Sequence, residues 1–343
     1  MRFGKTLHWL FLLLGVAVFT VSCVTTDTPV RRFEFQQPQM GVPFRIVLYA
    51  PDEVPARRAA DAAFARIAAL NSVLSDYDYD SELSQLSRTS GSGQMIKVSD
   101  DLWHVLKRSQ DFAEQSGGAF DVTVGPAVNL WRKARREKKF PDESRLAAAR
   151  LAVGYEKMKL EPNSRTVELV APNMRLDLGG IGKGYAVDEA MKVLKQHGIL
   201  RALVSGGGDL VVSQPPPGTK TWRIELPPLE ENSAPSDFLY LKNKAMATSG
   251  DLFQYVQLDG NRYSHIVDPR TGIGLVDHSR VVVVADDAAT ADALSTAVSV
   301  LGIDAGLQLM EKRPEAATRI SRKRMENIKT SETPNFRTWL VEP

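Results

Sequence analysis

Four glycines crowd into six residues of "LDLGGIGKGYAVDEAM" (176–191), between a strand-like "MRLDL" and an apolar helical pattern. Nothing else in the chain limits its fold as much. Gly179, Gly180, Gly182 and Gly184 permit a tight reversal whose backbone lies close to whatever it faces, and the helix that follows aims its N-terminus at the same place. The spacing predicts a strand over 174–178, a glycine turn, and a helix from Tyr185 to His197 terminated by Gly198. Such a turn suggests a phosphate cradle, but two common motifs are excluded. A P-loop needs glycine where Asp177 stands and Ser or Thr where Gly184 follows Lys183. The dinucleotide fingerprint G-x-G-x-x-G fails at Tyr185. What remains is an open main chain, a positive charge at Lys183 and an acceptor at Asp177. The ordinary alternative is a tight strand-to-helix turn.

The rest of the chain mixes the two periodicities. "FRIVLYA" (44–50) alternates as a half-buried strand does, whereas Ala63, Ile67, Leu70 and Leu74 recur at helical spacing within 59–74. A second helix runs through Leu102, Val105, Leu106, Ser109 and Phe112 to "SGG"; "FDVTVGP" (120–126) is rich in turn formers; "KMKLEP" and "TVELVA" read as short strands. "RALVSGGGDLVVS" is a strand broken by a glycine turn, and "RVVVVA" followed by "DDAATADALSTAVSVLG" reads as strand, cap and buried helix. The expectation is an α+β fold, with mixed, largely antiparallel sheets flanked by helices, as a single enzyme domain over 32–343. The polar tail after Arg313 carries no assignment.

Residues 1–22 stand apart. Arg2 and Lys5 precede an apolar run from Leu7 to Val21, too short for a spanning helix and suited to a signal peptide. The run ends at "TVSC", whose Cys23 is the sole cysteine of the 343 residues. Small residues before it resemble the lipobox at which bacterial lipoproteins are cleaved and acylated, although Thr20 stands where Leu is usual; ordinary cleavage leaving a free thiol is the alternative. On the first reading 23–31 is a lipidated tether, and the protein is anchored to the bacterial cell envelope through its acyl chains, facing the periplasm. The chain has 43 Lys and Arg against 41 Asp and Glu, and losing Arg2 and Lys5 balances the charge. That excludes the basic footprint of a nucleic-acid binder. The densest basic run, "RKARREKK" (132–139), reads as a solvated helix end or loop without a binding role.

Two further stretches hold candidate chemistry. In "ADALSTA", Asp292 and Thr296 lie four apart on one face of an apolar helix, a carboxylate and a hydroxyl suited to Mg²⁺; a capped helix with a back-bonded Thr is the plainer alternative. In "YSHIVDPRTG" (263–272), His265 lies among turn formers next to Asp268 and Arg270, which makes it an acid/base candidate. His104 and His197 sit in helical patterns and read as structural. His278 lies in a loop and carries no signal.

Nine stretches in order resemble the FAD:protein FMN transferases, the ApbE-like flavin transferases: "QMGVPF", "LSDYDYDSELSQL", "GGAFDVTVGPAVNLW", "VGYEKM", "LDLGGIGKGYAVD", "GGGD", "ATSGD", "YSHIVDPRTG" and "ADALSTA". They span Met40 to about Gly302. The resemblance implies an enzyme that breaks the diphosphate of FAD with Mg²⁺ and transfers FMN to a Thr or Ser hydroxyl of a partner protein as a phosphoester, releasing AMP. It implies an FAD site of Met40, Tyr77, Ala119, Phe120, Asp121, Asp177, Lys183 and Ile266. It also implies a metal held by Asp292, Thr296 and the carbonyl of Gly182, with His265 as base and Asp268 or Asp251 as alternatives. The implied acceptor is a redox protein with a D-G-x-[S/T]-G-A-[S/T]-like segment; this chain's own "DGNR" (259–262) is no closer match, so it is not expected to modify itself. Three departures stand out: Val42 for the Thr of "MGT", Gly182 for the Ala of "GGIAKG", and "SGGGD" (205–209) for "NIGGD". Two rivals remain, an FAD pyrophosphatase with water as attacker and a flavin-binding lipoprotein without turnover.

Overall fold

The computed structural model describes residues 29–230, 237–252, 254–324 and 327–342. The signal segment, Cys23 and most of the tether lie outside them.

Eight strands form one antiparallel sheet whose spatial order is also their chain order: Arg31–Gln39, Val42–Ala50, Ala202–Gly206, Asp209–Val212, Lys244–Gly250, His278–Ala285, Ala317–Arg324 and Asn327–Glu332. Helices are inserted between them. In chain order these are α1 (Glu53–Leu74), α2 (Glu82–Ser87), α3 (Asp100–Gln115), α4 (Gly125–Glu137), α5 (Glu143–Ala152), α6 (Gly182–Gln196) and α7 (Ala288–Glu311). The mixed, largely antiparallel architecture agrees with the sequence expectation.

Both faces of the sheet are covered, which explains why "RVVVVA" reads as an unbroken apolar run. Val281, Val283 and Ala285 join the main core with α1, α3, α6 and α7. Val282 and Val284 face a second core built on the hairpin Trp222–Glu225/Phe238–Leu241 and closed by Phe336. The α7 helix is long and apolar enough to cross a membrane, but most of it is buried inside this domain. A third cluster, around Trp131, joins α4 and α5 to the hairpin Tyr255–Leu258/Asn261–Ser264.

Three sequence expectations change. "MRLDL" is not a strand: only Arg175 pairs, as a single parallel bridge to Val124. Its alternation is that of buried loop residues between two core layers, with Leu176 and Leu178 inside. Arg31, placed in the tether, already begins a strand, fully registered with Val42–Ala50. The tail after Arg313 supplies the last two strands of the sheet and the buried Phe336.

Candidate active site

A cavity of about 1340 Å³ opens where the glycine turn, the Gly206–Gly208 reversal and the end of Lys244–Gly250 meet α7. The sequence brings them together through packing too close for side chains. A Cβ on Gly184 would lie 2.3 Å from the Ala288 carbonyl oxygen, so glycine lets α6 press against the start of α7. Asp188 completes that junction, accepting hydrogen bonds from the Ala288 and Ala289 amides at 2.9 Å each. The α6 helix begins at Gly182, three residues earlier than its apolar periodicity suggests.

Lys183 is the electrostatic centre of the cavity. Its ammonium donates to the Gly179 carbonyl at 2.7 Å and lies 3.4 Å from Asp209 and 3.5 Å from Asp292. Desolvation opposes its charge, but the two carboxylates outweigh that and raise its pKa. Burial pushes the Asp209 carboxyl well up, and neighbouring Asp292 pushes it further. Asp292 is raised as well, by burial against the pull of Lys183 and the Gly184 amide. One ammonium therefore serves two buried carboxylates, and among the described residues Asp209 Oδ2 has only the long 3.4 Å ion pair with Lys183 to compensate it. The Thr296 hydroxyl lies beside this pair, 3.4 Å from Ser249 Oγ and 2.9 Å from where a Cβ on Gly180 would stand. An oxygen-only donor set with a shortfall of positive charge fits a hard divalent cation such as Mg²⁺.

His265 faces the same cavity. Its backbone amide and its Nδ1 both reach the Gln254 carbonyl, at 2.9 and 3.1 Å. A carbonyl only accepts, so Nδ1 carries the proton and Nε2 is left as a free acceptor. Desolvation by the surrounding walls, helped by Arg135 and Lys183 and opposed by the Gln254 hydrogen bond, lowers its pKa to about 4. The residue is nonetheless exposed by its accessible surface; the direction of the shift is downward, which favours the neutral ring at pH 7.

The other candidates divide. Met40, Tyr77, Ala119, Phe120, Asp121, Asp177, Gly182 and Ile266 all line the cavity. Met40 and Gly41 form a two-residue reversal with φ of 48° and 75°, which puts the methionine at the rim. Burial pushes the Asp121 carboxyl up to about 6, against hydrogen bonds from Thr123.

Neither alternative base reaches the cavity. Asp268 is held by Arg270 at 2.8 and 2.9 Å in its own turn. Asp251 is buried beneath Arg262, His278 and the Ser279 amide, with 2.5, 2.7 and 3.0 Å contacts that occupy its oxygens. His278, without signal in the sequence, is thus the anchor of Asp251.

The basic run needs a larger correction. Arg132 is not solvated: it pairs with Asp76, reaches Asp177 at 2.8 Å, and stacks its guanidinium 4.1 Å from the Tyr77 ring centroid. It locks the wall that carries Asp177. Periodicity hides this, because a charged helix end looks the same whether it meets water or two buried carboxylates. Asp76 and Asp209 were visible within "LSDYDYD" and "GGGD" but carried no distinguishing spacing.

A sequence model described as the ApbE family matches residues 40–320. The chain belongs to the ApbE family. Among its relatives, an FAD:protein FMN transferase of Klebsiella pneumoniae is 30% identical over 96% of both chains, and one of Haemophilus influenzae is 34% identical over 71% of this chain and 72% of that one. Solved structures agree with this ApbE-family fold. The Pseudomonas stutzeri flavinyl transferase ApbE, in its apo form, superposes with a TM-score of 0.81 at 27% identity, covering 91% of this chain and 97% of that one. Flavin transferase ApbE from Vibrio cholerae gives 0.82 at 29% identity, covering 91% and 100%.

Proposed function

We propose that this chain transfers FMN from FAD to a Thr or Ser hydroxyl of another protein, releasing AMP, with Mg²⁺ at the Asp292 site. The observation that carries the reading is that Lys183, Asp209 and Asp292 share one cavity, with room for a dinucleotide, with the free Nε2 of His265. FAD would lie along the wall of Met40, Tyr77, Ala119–Asp121, Asp177 and Ile266, its diphosphate against the glycine turn and Lys183. Asp292 and Thr296, with the Gly182 carbonyl, would hold the metal, and Asp209 supplies a further oxygen at the same place. Bound there, Mg²⁺ neutralises diphosphate charge and favours departure of the AMP oxygen.

The chain's own groups do the rest. His265 Nε2 accepts the proton of the attacking hydroxyl while Gln254 fixes the ring. The new bond joins that oxygen to the FMN phosphorus, and the bond to the AMP oxygen breaks. Lys183 holds positive charge where negative charge accumulates. The acceptor is a redox protein bearing a D-G-x-[S/T]-G-A-[S/T]-like segment. We further place the protein at the cell envelope, anchored through Cys23 and facing the periplasm; the sequence of residues 1–23 supports this.

The metal assignment is tested by AMP release from FAD in the presence of acceptor. EDTA and Asp292→Ala are each expected to lower the rate at least a hundredfold while FAD remains bound. Undiminished turnover in EDTA would remove Mg²⁺ from the reading.

A further inference from the structure

Among the described residues the Arg280 side chain has no hydrogen-bond or ion-pair partner, although the residue is only 8% exposed. Both Nε and Nη1 are buried without an acceptor. An uncompensated buried guanidinium is costly, and burial, with Arg319 nearby, depresses its pKa against the opposing pull of Asp237. The residue lies between the main cavity and a second one of about 620 Å³ at the last strands of the sheet, and lines both; Leu307 of α7 closes one side of the second. Arg319 and Asp237, its charged neighbours, line the second cavity and not the first, so the guanidinium faces that way.

Strand register explains what else is there. Arg280 pairs directly with Ser321, which pairs with Thr330, so the three side chains form one row across three strands on the same face. Val282, Arg319 and Glu332 form the next row. Arg319 is neutralised by Asp237 at 2.5 Å and Glu332 at 2.9 Å, and Arg337 adds a second cation to Glu332 at 2.7 Å. The hydroxyls of Ser321 and Thr330 are 3.1 Å apart. Only one proton is used between them, which leaves the other hydroxyl free to donate into the cavity. Three arginines thus meet two acids, with Arg280 the unmatched one.

We propose that this second cavity is an oxyanion site, bound by Arg280 and the Ser321–Thr330 hydroxyls and suited to a phosphate group. Donors on three adjacent strands line one cavity, so more than a guanidinium's planar fork is offered to an anion, which suits a tetrahedral group. Arg280 borders the main cavity too, but the anion site belongs to the second cavity and does not depend on the flavin reaction.

The test is thermal unfolding of the protein titrated with inorganic phosphate at constant ionic strength, with acetate as the contrasting anion. Wild type is expected to gain about 2–3 °C at ten times the dissociation constant. Arg280→Met should begin at a higher midpoint, because it removes an unpaired buried charge, and should lose the phosphate-dependent rise. Ser321→Ala should keep the wild-type starting midpoint and show a weaker rise. Parallel phosphate curves for wild type and Arg280→Met would overturn the proposal, since the anion would then bind elsewhere, the main cavity included. Flat curves would overturn it too, and an equal response to acetate would overturn the phosphate assignment.

Discussion

Lys183 and His265 divide the work of the cavity by charge. The lysine is held protonated between two carboxylates, whereas the histidine is held neutral with its proton on the nitrogen that faces Gln254. A general base with a depressed pKa loses function only when acid reaches that lower value. Because the folded pKa lies below the usual 6.5, toward 4, kcat/KM should stay high as pH falls through 6.5 and drop only well beneath it. An acid limb centred at 6.5 or above would contradict this tautomer and environment. The histidine was legible in the sequence because it stood in a polar loop with a carboxylate beside it. Its real orienting partner, the Gln254 carbonyl, was not, since a main-chain acceptor leaves no mark on residue type. The same applies to Arg132, whose two partners come from segments about 50 residues away on either side.

Among the elements, the glycine turn shows how unequal neighbouring glycines are. Gly184 has the Ala288 carbonyl 2.3 Å from where its Cβ would be, while Gly182 meets only the Leu178 Cβ at 3.5 Å. Gly184→Ala must push α6 off α7 and is expected to lose about 1–3 kcal/mol. Gly182→Ala makes only an ordinary van der Waals contact at the first helical position and should be neutral or gain up to about 1 kcal/mol. Denaturant unfolding of both variants decides it: equal stabilities would mean that the helix junction is not as close as described. Sequence periodicity found α1, α3, α6 and α7, with α1 and α6 starting earlier than expected, and did not pick out α2, α4 or α5. It failed at "MRLDL", where Leu176 and Leu178 are buried from a loop and mimic strand alternation. Their main-chain amides are taken by isolated long-range partners, Leu176 by the Ser87 hydroxyl and Asp177 by the Val122 carbonyl, so no strand ladder forms.

For the whole molecule, the sheet could be expected in kind but not in extent. The strands at 31–39 and 327–332 are polar at alternate or most positions because they lie at the exposed edges of the sheet, and they resemble a tether and a tail until their partners are known. What this architecture accomplishes is to bring a glycine turn, a helix face and a loop histidine from positions 179–184, 292–296 and 265 to one cavity. The central claim is that these groups pass FMN to a protein hydroxyl. Its most direct test combines the soluble chain from residue 24 with FAD, Mg²⁺ and an acceptor domain bearing the D-G-x-[S/T]-G-A-[S/T]-like segment, and reads the acceptor's intact mass. The account predicts a gain equal to one FMN moiety with wild type and none with His265→Ala. An unchanged acceptor while free FMN and AMP accumulate would show a pyrophosphatase, and an unchanged acceptor with FAD bound but intact would show a flavin carrier; either result contradicts the transfer reading.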